Sequence, residues 1–169
     1  MREVAELLNK MRQAGVIMNY ALFGAAAQMR YTEPVSTLDA DVLIAVSSPN
    51  RLDILSPIYE FCSRQGYQAE GEAIRVGAWP VQFIPAFSPL TEEALEQADT
   101  ADFEGIPLRV VRADYLAVIA LSVARPKDFT RILALLESAS VSREEIASLA
   151  GKYKLAEAWK DFERKFLNG

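Results

Sequence analysis

The chain has 169 residues, of which 51% are hydrophobic and none is histidine. This length suits one domain, or one domain with a small appendage, and the hydrophobic share is enough to bury a core. The absence of histidine excludes a Ser–His triad, a histidine general base and a His-ligated zinc site. The net charge of −5 argues against general coating of DNA or RNA, because phosphate binding needs a basic surface. It leaves room for a small anion site with a few local cations.

Cysteine content and the absence of targeting segments predict a cytoplasmic protein. Cys62 is the only cysteine, so a disulfide within one chain is impossible and the composition suits a reducing compartment. No apolar run approaches the roughly 18 residues that span a bilayer. Residues 1–6 carry acids and lack the apolar core of a secretion signal. We therefore expect no membrane association.

The first part of the chain alternates predicted helices and strands. Hydrophobic residues at helical spacing predict an amphipathic helix over residues 3–14. An apolar run of strand length follows over residues 16–23 and ends at Gly24, after which small residues begin a short helix. Residues 32–38 form a connection. A second strand over residues 42–46 is apolar on both faces, which is typical of a central strand covered on both sides.

The middle of the chain continues this alternation, and the end is helical. The middle elements are a helix over 51–63, one or two short strands within 67–76, a strand over 81–86, a helix over 89–98 and a hairpin over 101–111. The later helices are expected over 113–124, 129–137, 143–150 and 155–166. The pattern predicts an α/β core over residues 1–112 and a C-terminal helical part over residues 113–169 that packs on it.

Two carboxylates open the second strand. Asp39 and Asp41 are separated by one residue, so in an extended chain both point to the same side. Close like charges repel unless a cation lies between them, and Mg²⁺ binds carboxylate oxygens together with substrate phosphates. The structural alternative is that Asp39 is a turn or cap residue and that Asp41 is a solvated strand start.

The end of the first strand is the second candidate feature. Gly24 is followed by Ala25, Ala26 and Ala27, so the main chain allows a close approach, and free N–H groups at a helix start attract anions. The structural alternative is a tight strand–helix turn packed against the sheet.

In combination, these features resemble the nucleotidyltransferase superfamily, which includes polymerase-beta-like enzymes and small bacterial nucleotidyltransferases. The matching segments are Phe23-Gly24-Ala25 and Leu38-Asp39-Ala40-Asp41-Val42. The segment 125–128 and the closing segment 153–162 also look like the helical tail of a bacterial branch related to toxins of abortive-infection and toxin–antitoxin loci. The resemblance implies an α/β (α+β) fold with a mixed β-sheet flanked by helices and a C-terminal helical tail.

The resemblance also implies a reaction. Gly24 and Ala25 would lie against a nucleoside triphosphate, and Asp39 and Asp41 would hold one or two Mg²⁺ ions. Such ions clamp the attacking hydroxyl and the leaving pyrophosphate of an in-line displacement at the α-phosphorus, so no histidine is needed. The implied activity is transfer of a nucleotidyl group to an unidentified hydroxyl of a protein, an RNA or a small molecule.

The chain departs from the family pattern at three places. The third family acid aligns with Gln82, a neutral side chain that is a poorer metal ligand, and its loss is expected to cost catalysis orders of magnitude. Ala25 lacks the serine hydroxyl that many relatives offer to a phosphate. The segment 119–122 contains no lysine, although relatives often have one there.

Three basic residues are candidate phosphate partners, each with a structural alternative. Arg30 follows the short helix, and its alternative is a surface pair with Glu33. Arg125 and Lys127 flank a proline at a helix break, and the alternative is that Asp128 caps the next helix while Arg125 pairs with an acid.

The sequence therefore supports rival functions. The first is Mg²⁺-dependent nucleotidyl transfer. The second, favoured by Gln82, is a catalytically impaired nucleotide- or partner-binding module, such as one component of a toxin–antitoxin pair. A third is a structural protein that dimerises through its apolar helical tail.

Overall fold

The computed structural model describes residues 1–47 and 53–168. The chain forms two compact units. They comprise residues 1–27 with 36–111, and residues 28–35 with 112–169.

The second unit therefore contains part of the connection that precedes the carboxylates, in addition to the C-terminal helices. Residues 28–35 group with this unit although they lie early in the chain. The predicted division into residues 1–112 and 113–169 stays a prediction.

Seven strands form one mixed sheet in the first unit. They are β1 (Asn19–Phe23), β2 (Ala40–Ala45), β3 (Gln68–Glu70), β4 (Ala73–Val76), β5 (Trp79–Pro85), β6 (Asp99–Phe103) and β7 (Ile106–Val110). The strand order is β3-β4-β5-β2-β1-β7-β6. β2 pairs in parallel with β5, and β1 with β7, whereas the other neighbours are antiparallel. This mixed sheet confirms the predicted fold class.

The strand that follows the two carboxylates is the central strand. Val42, Leu43 and Ile44 are consecutive and almost completely buried. Because successive side chains of a strand point to opposite faces, β2 is covered on both sides, as predicted. β2 occupies the fourth position of the seven in the sheet, so its start is flanked by β1 and β5.

Four helices begin within residues 1–47 and 53–111. They are α1 (Arg2–Gln13), α2 (Gly24–Gln28), α3 (Ser56–Arg64) and α4 (Pro89–Glu96). α1 packs on β1 and β7, and α4 packs on β1 and β2. Hydrophobic side chains buried on one face of α1 confirm the predicted amphipathic helix.

Several boundaries differ from the sequence prediction by a few residues. The first strand begins at Asn19 instead of residue 16, because Val16 and Ile17 still direct their main-chain N–H groups to the carbonyl of Met11 at the end of α1. The predicted helix over 51–63 is α3, which begins at Ser56 with a proline in its first turn. Residues 51 and 52 of that prediction lie outside the described residues.

The second unit contains four C-terminal helices. They are α5 (Ala113–Val123), α6 (Pro126–Glu137), α7 (Arg143–Lys152) and α8 (Ala156–Phe166). α5 contacts the other three helices, which agrees with its nearly uncharged sequence. The predicted capping box is present, since the Ser142 hydroxyl accepts from the Glu145 N–H at 3.1 Å and the Glu145 carboxylate accepts from the Ser142 N–H at 2.7 Å.

α6 begins three residues earlier than predicted. Pro126 occupies the first turn of α6, where its missing N–H costs nothing and its fixed φ favours the helix. The Asp128 carboxylate accepts a hydrogen bond from the main-chain N–H of Arg125 at 3.1 Å. The segment that sequence analysis treated as a helix break is therefore a capped helix start.

Cys62 is a structural residue of the first unit. Its side chain is fully buried in α3, and burial raises the pKa of the thiol to about 11. A buried, protonated thiol is a poor nucleophile, so Cys62 offers no chemistry to the native protein.

The helices are short. The longest, α1 and α6, have 12 residues each. Within residues 1–47 and 53–168, no helix has the length and hydrophobicity to cross a bilayer.

The residue after α5 generates a stability prediction. Ala124 has φ 60° and ψ 37°, a left-handed conformation that is strained for an L-residue with a side chain. We expect Ala124→Gly to raise the free energy of unfolding by about 0.5–1 kcal/mol, measured by urea denaturation. Ala147→Gly, at an exposed position inside α7, should lower it by a similar amount. If both substitutions changed the free energy of unfolding in the same direction, the proposed strain at Ala124 would be contradicted.

The start of α6 generates a pH-dependent prediction. Asp128 is 1% exposed, and both of its carboxylate oxygens accept from the Arg125 guanidinium, at 2.7 and 3.2 Å. Burial raises the pKa of Asp128, but the hydrogen bonds from Arg125 outweigh burial and hold the pKa of this carboxyl below its ordinary value. Ionised Asp128 therefore stabilises the fold above the unfolded-state pKa of about 4, and this contribution is lost as the pH falls through the lower folded-state pKa.

We expect Asp128→Asn to lower the free energy of unfolding by about 2 kcal/mol at pH 7. The loss should shrink toward zero in acid, because wild-type Asp128 is then also neutral. Asp161→Asn is the matched control, since Asp161 forms the same kind of pair with Arg164 on an exposed surface. Its effect should stay within about 0.5 kcal/mol. A loss for Asp128→Asn that does not change with pH would refute the assigned ion pair.

Candidate active site

The candidate site lies where three neighbouring strands of the first unit meet. In the ladder, Phe23 of β1 is opposite Asp41 of β2, and Asp41 is opposite Gln82 of β5. Side chains opposite each other in a ladder lie on the same face of the sheet. Asp39 comes two residues before Asp41, directly ahead of β2. The two sequence-predicted carboxylates and the predicted third position are therefore neighbours.

Gln82 contacts the first carboxylate directly. Its side-chain amide Nε2 donates to Asp39 Oδ2 over 3.4 Å, a long hydrogen bond between two partly buried side chains. Gln82 thus occupies the place beside Asp39 at which a third acid would add a negative charge. The roles assigned to Asp39, Asp41 and Gln82 by the resemblance stay predictions.

Gly24 lies against the second carboxylate. Its φ is +62°, which favours glycine, and a β-carbon added there would lie 2.6 Å from Asp41 Oδ2. Any side chain at this position would displace the Asp41 carboxylate. Ala25 follows as the second residue of α2 and is partly buried. The sharp turn between β1 and α2 therefore places the main chain next to Asp41.

Thr37 holds the main chain at Asp39, and sequence analysis did not identify it. Its hydroxyl donates to the Asp39 carbonyl at 2.9 Å, and the Asp39 N–H points to the same hydroxyl at 3.4 Å. A threonine two residues before an aspartate is a common local turn signal, and this spacing was visible in the sequence. Thr37 orients the residue that carries the carboxylate without contacting the carboxylate itself.

The candidate site contains the two carboxylates Asp39 and Asp41. Among residues 1–47 and 53–168, no group of three or more His, Cys, Asp or Glu side chains is arranged to hold a metal ion. The Gln82 amide contacts Asp39 and lies opposite Asp41 in the ladder.

The three candidate basic residues belong to the second unit. Arg125 is engaged by Asp128, which confirms the structural alternative of an ion pair at the helix start. Arg30 is exposed and lies over the Tyr31 ring, 5.8 Å from its centroid. In the part of the chain that the structure describes, Arg30 makes no ion pair with Glu33. Lys127 is exposed, and the phosphate-binding role of all three residues stays a prediction.

Comparison with known proteins shows what this arrangement resembles. One similar solved structure is an antigenic nucleotidyltransferase-like protein from Paracoccidioides brasiliensis, at 15% identity and a TM-score of 0.57, covering 93% of this chain and 90% of that one. A second is the antibiotic-resistance factor ANT(2'')-Ia, at 12% identity and a TM-score of 0.51, covering 95% of this chain and 94% of that one.

These similarities concern the fold. No protein-family model matches the chain, and no curated protein sequence is similar to it. At 12–15% identity, the two structures establish architecture and leave activity undetermined. The chain therefore has a nucleotidyltransferase-like fold.

Proposed function

We propose that the chain binds a nucleoside triphosphate with Mg²⁺ at Asp39 and Asp41 and transfers a nucleotidyl group to a hydroxyl acceptor. The observation that carries this proposal is the convergence of two partly buried carboxylates with a glycine turn that faces one of them. The nucleotidyltransferase-like fold of the chain supports the same reaction class. The branch related to toxin–antitoxin loci remains part of the proposal.

The donor set fits one Mg²⁺ ion. Mg²⁺ in nucleotide sites usually has one or two protein carboxylates, and water and substrate phosphate oxygens complete its octahedron. Asp39 and Asp41 supply those two carboxylates, with the Gln82 amide beside them. A second ion would have to rely mainly on phosphate and water, because the described residues offer no third carboxylate at this place.

Each residue then has a defined task. Asp39 and Asp41 bind the ion, and the main chain at Gly24 and Ala25 lies beside the triphosphate, next to the Asp41 carboxylate. The bound ion would neutralise phosphate charge and lower the pKa of the attacking hydroxyl. The phosphate-binding roles of Arg30, Arg125 and Lys127 stay predictions from the sequence, and Arg125 is paired with Asp128.

A second function is favoured by one specific observation. Gln82 occupies the position beside Asp39 and opposite Asp41, where a carboxylate would complete the set of acids. A neutral amide there is compatible with nucleotide binding but supports catalysis poorly. This chain would then be a nucleotide- or partner-binding module, for example a toxin–antitoxin component or a homodimer.

Calorimetry tests the binding site. We expect wild-type protein to bind at least one of the four ribonucleoside triphosphates in the presence of Mg²⁺. Asp39→Asn and Asp41→Asn should each weaken Mg²⁺-dependent binding about tenfold or more, because each removes a charged metal ligand. Asp99→Asn, on the exposed edge strand β6, is the matched control and should bind like wild type. Absence of triphosphate binding, with or without Mg²⁺, would end the proposal.

The substitution Gln82→Glu distinguishes between the two proposed functions, an active enzyme and a binding module. The substitution keeps the side-chain shape and places a third carboxylate beside Asp39. If Gln82 is what limits catalysis, transfer from a labelled triphosphate to acceptors in a cell extract should rise about 100-fold or more over wild type. Gln68→Glu, in the exposed strand β3, controls for added negative charge. Rapid transfer by wild type, unchanged in Gln82→Glu, would contradict the impaired module.

A further inference from the structure

Asp39 lies just outside the strand pairing that positions the other carboxylate. Asp41 is paired within β2 with Phe23 of β1 and with Gln82 of β5. The pairing of β2 with β5 begins at Ala40, so Asp39 precedes both ladders. The two proposed metal ligands are therefore held differently, and the main chain of Asp39 needs a constraint other than strand pairing.

The Thr37 hydroxyl supplies such a constraint. It donates to the Asp39 carbonyl at 2.9 Å, and the Asp39 N–H points back to the same oxygen at 3.4 Å. The first of these contacts has the length of a good hydrogen bond, and the second is long. One hydroxyl thus engages both polar groups of a single main-chain residue, in the local pattern by which threonine bonds to the backbone two residues on.

Burial of the intervening side chain does not hold this turn. Leu38 lies between Thr37 and Asp39 and is 85% exposed, whereas its two neighbours are half-buried. An apolar side chain that stays in water gains no free energy from burial, so it does not favour one local conformation over another. Of the side chains at positions 37 and 38, the hydroxyl is therefore the one that fixes the turn.

The Asp39 carboxylate has a contact of its own once the main chain is in place. Gln82 Nε2 donates to Asp39 Oδ2 over 3.4 Å. Because this hydrogen bond is long, a small displacement of the Asp39 main chain would break it. The Gln82 side-chain amide is therefore a sensitive reporter of where the Asp39 carboxylate lies.

We propose that Thr37 is a positioning residue for the Asp39 carboxylate. Its hydroxyl fixes the Asp39 main chain, and the main chain places the carboxylate beside Gln82. All three residues belong to the first unit, so the structural part of the inference depends on contacts within that unit alone. The consequence for Mg²⁺ and triphosphate rests on the proposed function.

The chemistry of the contact explains why a hydroxyl is needed. A hydroxyl donates and accepts hydrogen bonds at the same time, whereas a valine side chain of the same shape does neither. Serine keeps the hydroxyl and lacks only the branch that restricts the χ1 angle of threonine. The pair Thr37→Val and Thr37→Ser therefore separates the hydrogen bonds from the shape of the side chain.

The first measurement needs no ligand. We expect the NMR signals of the Gln82 side-chain amide to shift in Thr37→Val and to stay near their wild-type positions in Thr37→Ser. Asp39→Asn changes the acceptor itself and identifies the affected signals. Thr100→Val is the matched control, because Thr100 is exposed on the edge strand β6, three strands from β2. Its Gln82 signals should match those of wild type.

The second measurement follows the ligand. With Mg²⁺ and the triphosphate that wild type binds most tightly, Thr37→Val should raise the Kd about tenfold, the loss typical of a residue that orients a metal ligand. Thr37→Ser and Thr100→Val should bind like wild type. The double variant Thr37→Val/Asp39→Asn should bind no more weakly than Asp39→Asn, because Thr37 acts through the carboxylate that this variant has already neutralised.

Each outcome decides the inference. Unchanged Gln82 signals in folded Thr37→Val would overturn it, and Thr37→Ala serves the same test if Thr37→Val does not fold. Equal losses of affinity in Thr37→Val and Thr37→Ser, or additive losses in the double variant, would also overturn it. If wild type binds no triphosphate, the proposed function fails, and the Gln82 signals still decide whether Thr37 positions Asp39.

Discussion

The contact between a carboxylate and a glycine main chain organises the candidate site. The Asp41 side chain occupies the space that a β-carbon on Gly24 would take. Because Gly24 has no side chain, the main chain can turn sharply from β1 into α2 at this position, beside the start of β2. This arrangement depends on the pairing of β1 with β2, which sets Phe23 opposite Asp41. The parallel pairing of β2 with β5 then brings Gln82 into the same row. The positions of Asp41 and Gln82 follow from these two ladders.

The fold was largely predictable from local patterns. β2 was recognisable as a central strand because three consecutive apolar residues need cover on both faces, and α1 was recognisable from its hydrophobic spacing. The ends of helices and strands were less predictable where a hydrogen bond, which the hydrophobic pattern does not reveal, decides the boundary. Val16 continues the turn of α1 through the Met11 carbonyl, and Pro126 begins a helix because Asp128 caps it.

The candidate site was predictable in part. The proximity of Asp39 to Asp41 follows from their spacing, and the placement of Gln82 followed from the family resemblance. The hydrogen bond from Arg131 to Gln28 was not predictable, because it joins residues 103 positions apart. Arg125 illustrates the converse problem. An arginine near a helix break looks available for phosphate, yet its guanidinium is committed to a buried aspartate three residues later.

The amide of Gln82 also has a consequence for the evolution of such a protein. Either glutamine codon becomes a glutamate codon through substitution of its first base, and the two side chains have nearly the same shape. Within this ladder, the carboxylate would appear beside Asp39 and opposite Asp41. A binding module and a catalyst built on this sheet would therefore be adjacent in genetic terms.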